Sequence, residues 1–484
     1  MNYDILVLVL TLWLGSMNLT NKYDLIVIGS GPGGRRAAIQ AAKFSKKVLV
    51  IEKSERVGGV SVHTGTIPSK TLRETALNLS GWHEREFYGQ SYRVKQNITA
   101  ADLKNRLHMT LDHEVEVLKH QFARNAVETL NGIARFVSPT TVDVEFDDGE
   151  VEQFSAEKFI IAVGTKPYRP EQIPFDGIRI FDSDEILKIK RLPRSLAVIG
   201  GGVIGVEYAT IFSALDIPIT LIEARDTILD FVDKEIIAEL MHELRERGVA
   251  MRLGCNIQEV QKIKNGRCKI ILDNGREVRT DMILFAAGRY GATSALNLDV
   301  LGLSPDKRGR LNVDKNTFQT DNPNIYAVGD VIGFPSLAST SMEQGRIAAC
   351  HAFDELAHAP PEFFPYGIYA VPEISTIGMS EEEAKNAAIP YEVGLARFRE
   401  TSRGHIMGLD SGMMKMIVSL ETRKLLGVHI IGEGATELIH IGQAVLNLEG
   451  PIEYFVENTF NYPTLAEVYK IAALDVWNRL PRNT

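Results

Sequence analysis

Short apolar runs alternate with stretches of helical periodicity along most of this chain. Residues 24–28, 47–52, 159–163, 195–199, 219–222 and 283–287 are each a compact, largely apolar run bounded by glycine or charged residues. Runs of that length between turn residues predict strands rather than helices. Helical patterns follow several of them, so the order strand, helix, strand recurs and predicts an α/β architecture.

Two of these runs open the same longer pattern. The first leads into Gly29, Gly31 and Gly34 spaced G-x-G-x-x-G, and the second into Gly200, Gly202 and Gly205 with the same spacing. A helical stretch and a second strand follow in both copies. That strand ends in Glu52 in one copy and Glu223 in the other, each 23 positions after the first glycine. The spacing has a physical basis. The first glycine allows a tight turn, the second lets backbone approach a pyrophosphate, and the third lets helix pack on strand. The helix N-terminus offers free N–H groups to phosphates, and the carboxylate accepts bonds from ribose hydroxyls. Later apolar runs end in Gly164, in Gly288 and in Gly329-Asp330. A carboxylate at such a strand end suits a polyol chain. Arg225 lies two residues beyond Glu223, where a guanidinium would offset that carboxylate and donate to a 2′-phosphate, the alternative being a side chain that simply points to solvent.

Composition narrows the partners. The 484 residues carry a net charge of −9, which argues against nucleic acid and anionic membranes. Cys255, Cys268 and Cys350 have neither metal-ligand nor C-x-x-C spacing, so no metal site is expected and buried thiols in a reducing, cytoplasmic setting are. Residues 5–14 are apolar but too short to span a bilayer. A second methionine, Met17, precedes the first strand, so residues 1–16 are expected to be an over-extended start or a disordered leader, with no membrane anchor.

Together these residues resemble the flavoprotein disulfide reductases, from Tyr23 to Leu480. The resemblance implies two Rossmann-like domains and a C-terminal α+β dimerisation domain. FAD would occupy residues 17–165 and 288–360, NAD(P) residues 166–287, and residues 361–484 would form a homodimer or higher homo-oligomer. It further implies that Glu52 and Lys53 lie at the FAD adenosine, Gly58 and Gly59 in the redox loop, Ala134 at the adenine, Asp330 at the ribityl chain, and Ala338 under the flavin ring. Lys70 and Glu207 match an ion pair near flavin N5.

The departures from that family matter more. Its redox motif carries two cysteines where this chain has Ser61 and Thr66, and its acid/base histidine is replaced by Tyr462. A hydroxyl forms no disulfide, and a phenol is a poor proton shuttle at neutral pH. The segments around Thr66 and Tyr462, with 326–333, 433–443 and 452–456, are similar to one branch, the soluble, energy-independent pyridine nucleotide transhydrogenases. That branch often keeps the first cysteine, so position 61 receives no role. The resemblance implies ping-pong hydride transfer from NADPH to NAD⁺, and back, through FAD. The competing reading is a diaphorase or oxidase that passes electrons to quinone or oxygen. His63 and His440 read as packed or solvent-facing histidines, and Met413, Met414 and Met416 as strand packing.

Overall fold

The computed structural model describes residues 21–263 and 266–480, so the expectation for residues 1–16 falls outside it. The chain divides into two compact units. One comprises residues up to Pro68 with His108–Pro167 and Arg289–Pro360, and the other Ser69–Leu107, Tyr168–Gly288 and Pro361 onward.

In the first unit, strand Lys22–Ile28 is central. It pairs in parallel with Val48–Glu52 on one side and Val151–Ile161 on the other, and Glu128–Asn131 and Ile325–Ala327 extend the sheet. The eleven residues Val151–Ile161 show why sequence pattern follows environment. The first half is exposed except around Phe154 and pairs antiparallel with Thr141–Glu145, whereas Phe159, Ile160 and Ile161 are all buried inside the parallel sheet. Helix Pro32–Lys43 crosses helix Ala338–Ala352 closely, and a Cβ on Gly345 would lie 2.0 Å from the Gly33 carbonyl oxygen.

The second unit repeats the design. Leu196–Ile199 lies between Ile219–Ile222 and Met282–Phe285 in a five-stranded parallel sheet, completed by Ala250–Arg252 and Ile180–Asp182. The internal sequence repeat is therefore a repeat of structure. This unit also holds an antiparallel sheet of Tyr366–Ile368, Ile374–Gly378, Leu425–Ile431, Met413–Ser419 and Tyr391–Arg397, in that order, against which helices Ala435–Asn447 and Glu467–Trp477 pack. Met413, Met414 and Met416 are all buried in it. Leu72, Ala76, Ala100 and Leu103 pack into the core that also contains Val206 and Phe212.

The three cysteines are free, buried thiols. Among the described residues no helix is long and apolar enough to cross a membrane, and no group of three or more His, Cys, Asp or Glu is placed to hold a metal ion.

Candidate functional site

The first glycine turn separates what the fold requires from what it does not. Gly29 has φ +104°, a conformation that disfavours side chains. A Cβ on Gly34 would lie 2.0 Å from the Gly29 carbonyl oxygen, so helix and strand could not close. A Cβ on Gly31 would meet no protein atom within 4 Å. The chain's own packing thus accounts for two glycines and leaves the middle one bare at a helix N-terminus, the arrangement that admits a pyrophosphate. Gly58 and Gly59, at φ +121° and +60°, border the same turn, with a Gly59 Cβ 2.9 Å from the Gly31 Cα.

Glu52 is buried beside this turn. Its carboxylate accepts the Ser30 N–H at 2.9 Å, the Ser30 hydroxyl at 2.6 Å and the Ser54 N–H at 3.0 Å. The Ser30 hydroxyl oxygen in turn accepts the Gly58 N–H at 2.8 Å. Ser30 links the carboxylate to the Gly58 loop, a role that its place as the variable residue between two glycines did not announce. The Gly132 N–H donates to the Glu52 carbonyl at 2.9 Å, which sets Ala134, itself buried, on the strand that follows. Lys53 is exposed.

At another strand end Gly164, φ +63°, also has open space where a Cβ would point. Arg289 donates to the Thr165 hydroxyl and carbonyl, both at 2.9 Å. Asp330 lies against this pair. Burial raises its carboxyl pKa, while the Arg289 charge and a hydrogen bond with Thr165 work against the rise. Thr165 and Arg289 each follow a strand-ending glycine and were missed for lack of any spacing signature. Ala338 opens the helix Ala338–Ala352, with Leu337 as its cap.

The second turn copies the first. Gly200 has φ +110°, a Gly205 Cβ would sit 1.9 Å from the Gly200 carbonyl oxygen, and a Gly202 Cβ would meet nothing within 4 Å. Gly288, φ +118°, is equally open. Glu223 accepts the Gly201 N–H at 2.5 Å and the Arg225 N–H and Nε at 3.0 Å each. Burial alone would raise its pKa, and the bonds from Arg225 and Gly201 outweigh it and hold the carboxyl below its ordinary value. The Arg225 guanidinium bonds both Glu223 and Asp230. Asp230 was invisible beforehand, because an acid in a loop reads as solvated surface.

Lys70 and Glu207, 137 positions apart, meet: Nζ donates to the two carboxylate oxygens at 2.7 and 2.8 Å. Glu207 is 4% exposed and also accepts the Tyr369 N–H at 2.9 Å. The Ser61 hydroxyl donates to the Gly58 carbonyl at 3.1 Å. His63 Nε2 lies 2.9 Å from the Val57 carbonyl oxygen, and His440 bonds Gln443. Tyr462 is exposed, its hydroxyl 2.6 Å from that of Ser402.

Two bare helix N-termini, each with a carboxylate at the next strand end, fit two dinucleotides. Comparison with known proteins agrees. Residues 23–345 match the family model described as pyridine nucleotide-disulphide oxidoreductase, and residues 364–473 match that family's dimerisation domain. A soluble pyridine nucleotide transhydrogenase of Mycobacterium tuberculosis is 49% identical over 463 residues, 95% of this chain and 98% of its own. One from Escherichia coli is 42% identical over 464 residues, 95% and 98% of the two chains. The solved Cu(II) complex of the HOCl-induced flavoprotein disulfide reductase RclA from Escherichia coli has 25% identity and a TM-score of 0.84, over 96% of this chain and 100% of that one. LpdA from Mycobacterium tuberculosis, at 24% identity and a TM-score of 0.85 over 93% and 99% of the chains, shares the fold. The chain belongs to the pyridine nucleotide-disulphide oxidoreductase family.

Proposed function

We propose that this protein is a flavin-dependent transhydrogenase that moves a hydride between NADPH and NAD⁺ without a redox disulfide. The observation that carries the reading is the pairing of two complete dinucleotide cradles with hydroxyl residues at 61 and 66. The names of the 49% and 42% identical relatives support it. Bound FAD, one per chain, supplies a hydride acceptor and donor. Gly29, Gly31, Gly34, Glu52, Lys53, Gly58, Gly59, Ala134, Gly164, Asp330 and Ala338 hold it. Gly200, Gly202, Gly205, Glu223, Arg225 and Gly288 hold the nicotinamide nucleotide, and the two nucleotides use this site in turn. Lys70, ion-paired with Glu207, would supply the positive charge that stabilises negative charge on the flavin, the role the family resemblance implies. The match to a dimerisation domain supports a homodimer, and three buried free thiols agree with a cytoplasmic setting.

Anaerobic titration of the holoenzyme tests this. A single equivalent of NADPH per flavin should bleach it fully, because no disulfide takes a second electron pair. NAD⁺ should then restore the colour promptly and yield NADH. A requirement for two equivalents, or reoxidation by quinone or oxygen but not by NAD⁺, would overturn the proposal.

Selectivity gives a second check. A charge-assisted hydrogen bond is worth about 1.5–3 kcal/mol, and Arg225 already bonds Glu223 and Asp230, so the lower end applies. Arg225→Ala is expected to weaken NADPH binding by about tenfold and NADH binding far less, read from flavin-reduction rates against concentration. Equal losses would exclude a role with the 2′-phosphate.

A further inference from the structure

We propose that Tyr369 is the positioning residue for Lys70, its ring and backbone together fixing where the ammonium stands. The inference rests on the reading above that Lys70 stabilises charge on the flavin.

Three consecutive residues stitch the ion pair's two helices together. The Tyr369 N–H donates to Glu207 Oε1 at 2.9 Å, and the Val371 N–H donates to the Thr210 hydroxyl at 3.1 Å, both on helix Val203–Ala214. Between them, the Ala370 carbonyl accepts Nε of Arg73 at 3.0 Å, on the helix Thr66–Ser80 that carries Lys70. Arg73 is buried and has little room to re-form that bond elsewhere. The strip therefore sets the register between the helix of Lys70 and the helix of Glu207.

The side chain of Tyr369 adds the second restraint. Lys70 Nζ lies 4.7 Å from the centre of its ring, on the face, where the ring quadrupole attracts a cation. A lysine has four rotatable bonds, and its point charge pivots readily about a single carboxylate. Here the ammonium has the carboxylate, the Ser69 hydroxyl at 3.2 Å and the ring around it, while a quarter of the side chain stays exposed. The ring blocks one direction of swing and leaves another open. Glu207 supplies the charge balance and Tyr369 the direction.

The test uses holoenzyme carrying Tyr369→Phe, Tyr369→Leu, Lys70→Met, or Tyr369→Leu with Lys70→Met. Two quantities are read: the anaerobic rate of flavin bleaching by NADPH and the midpoint potential of the bound flavin. Flavin content and melting temperature report on folding. Tyr369→Leu is expected to slow bleaching by about tenfold, the scale of one well-placed cation–π contact, and to make the potential more negative. Tyr369→Phe keeps the ring and should restore both to near the parent values. The double variant should be no slower than Lys70→Met. Phenylalanine behaving like leucine would overturn the proposal, as would an unmoved potential or a loss that adds fully to that of Lys70→Met. If Lys70→Met itself changes neither rate nor potential, the role of Lys70 fails and this inference falls with it. Normal Lys70→Met effects beside a silent Tyr369→Leu would sink the inference alone.

Discussion

Gly202→Val is expected to fold, retain its flavin and lose reduction by NADPH by roughly a hundredfold or more, the scale of misplacing a reactant by about an ångström. Gly205→Val, three residues on, should instead fail to yield a stable protein. The two glycines stand on opposite sides of one physical distinction. A Cβ at 205 would lie 1.9 Å from the Gly200 carbonyl oxygen and 3.0 Å from its carbon, so backbone itself must move. At 202 the backbone has φ −79° and ψ −177°, which any residue adopts, and a Cβ meets no protein atom within 4 Å. Losing a glycine helix cap costs at most about 1 kcal/mol there. The side chain would occupy only the open space at the helix N-terminus, where the proposed pyrophosphate would sit. Bleaching rates, flavin content and melting temperature measured together check the contrast. Normal reduction of Gly202→Val by NADPH would show that this turn does not hold the nucleotide. The first turn gives the mirror case, since Gly31→Val should fold but purify without flavin.

The same distinction explains what the sequence could reveal. Both cradles were legible because their constraints are local: Gly200 and Gly205 meet within one turn, and Glu223 follows a helix and a strand later. The ion pair of Lys70 and Glu207 was found by resemblance, and the structure supplies the contact. Ser30, Thr165, Arg289, Asp230 and Tyr369 escaped notice because their roles arise from contacts that residue type alone does not mark. Nothing in residues 69–107 marks which core receives them, since Leu72 and Leu103 suit any apolar surface. Lys415 carries no mark of its burial. Between Met414 and Met416 it reads as the outward residue of a half-buried strand, yet all seven residues of Met413–Ser419 are buried.

Lys415→Met is therefore expected to destabilise the protein by about 3–5 kcal/mol, the cost of removing one partner from a buried charge cluster. The lysine side chain is 2% exposed and its partner Asp233 has a side chain with no exposure at all. The ammonium lies 3.1 Å from Asp233, 3.1 Å from Glu235 and 2.6 Å from Glu381. Both glutamates are more than a third exposed and can turn to water, but Asp233 cannot. It caps helix Lys234–Glu246 by accepting the Glu235 N–H at 3.0 Å. Burial alone would raise the Asp233 pKa, and the neighbouring His429 and Lys415 with the hydrogen bonds to it hold it below its ordinary value. In the parent protein this carboxylate thus stabilises the fold above its unfolded pKa, and the contribution is lost as pH falls through the lower folded value. Without Lys415, burial dominates and the carboxyl protonates more readily. The gap between variant and parent should then narrow as pH drops from about 7 toward about 5. A melting-temperature drop of roughly 3–8 °C near neutral pH is expected, with much of it recovered by adding Asp233→Asn, which keeps a cap and removes the stranded charge. A loss below about 1 kcal/mol, the range of ordinary surface pairs, or no recovery in the double variant, would mean that Lys415 is dispensable to this cluster.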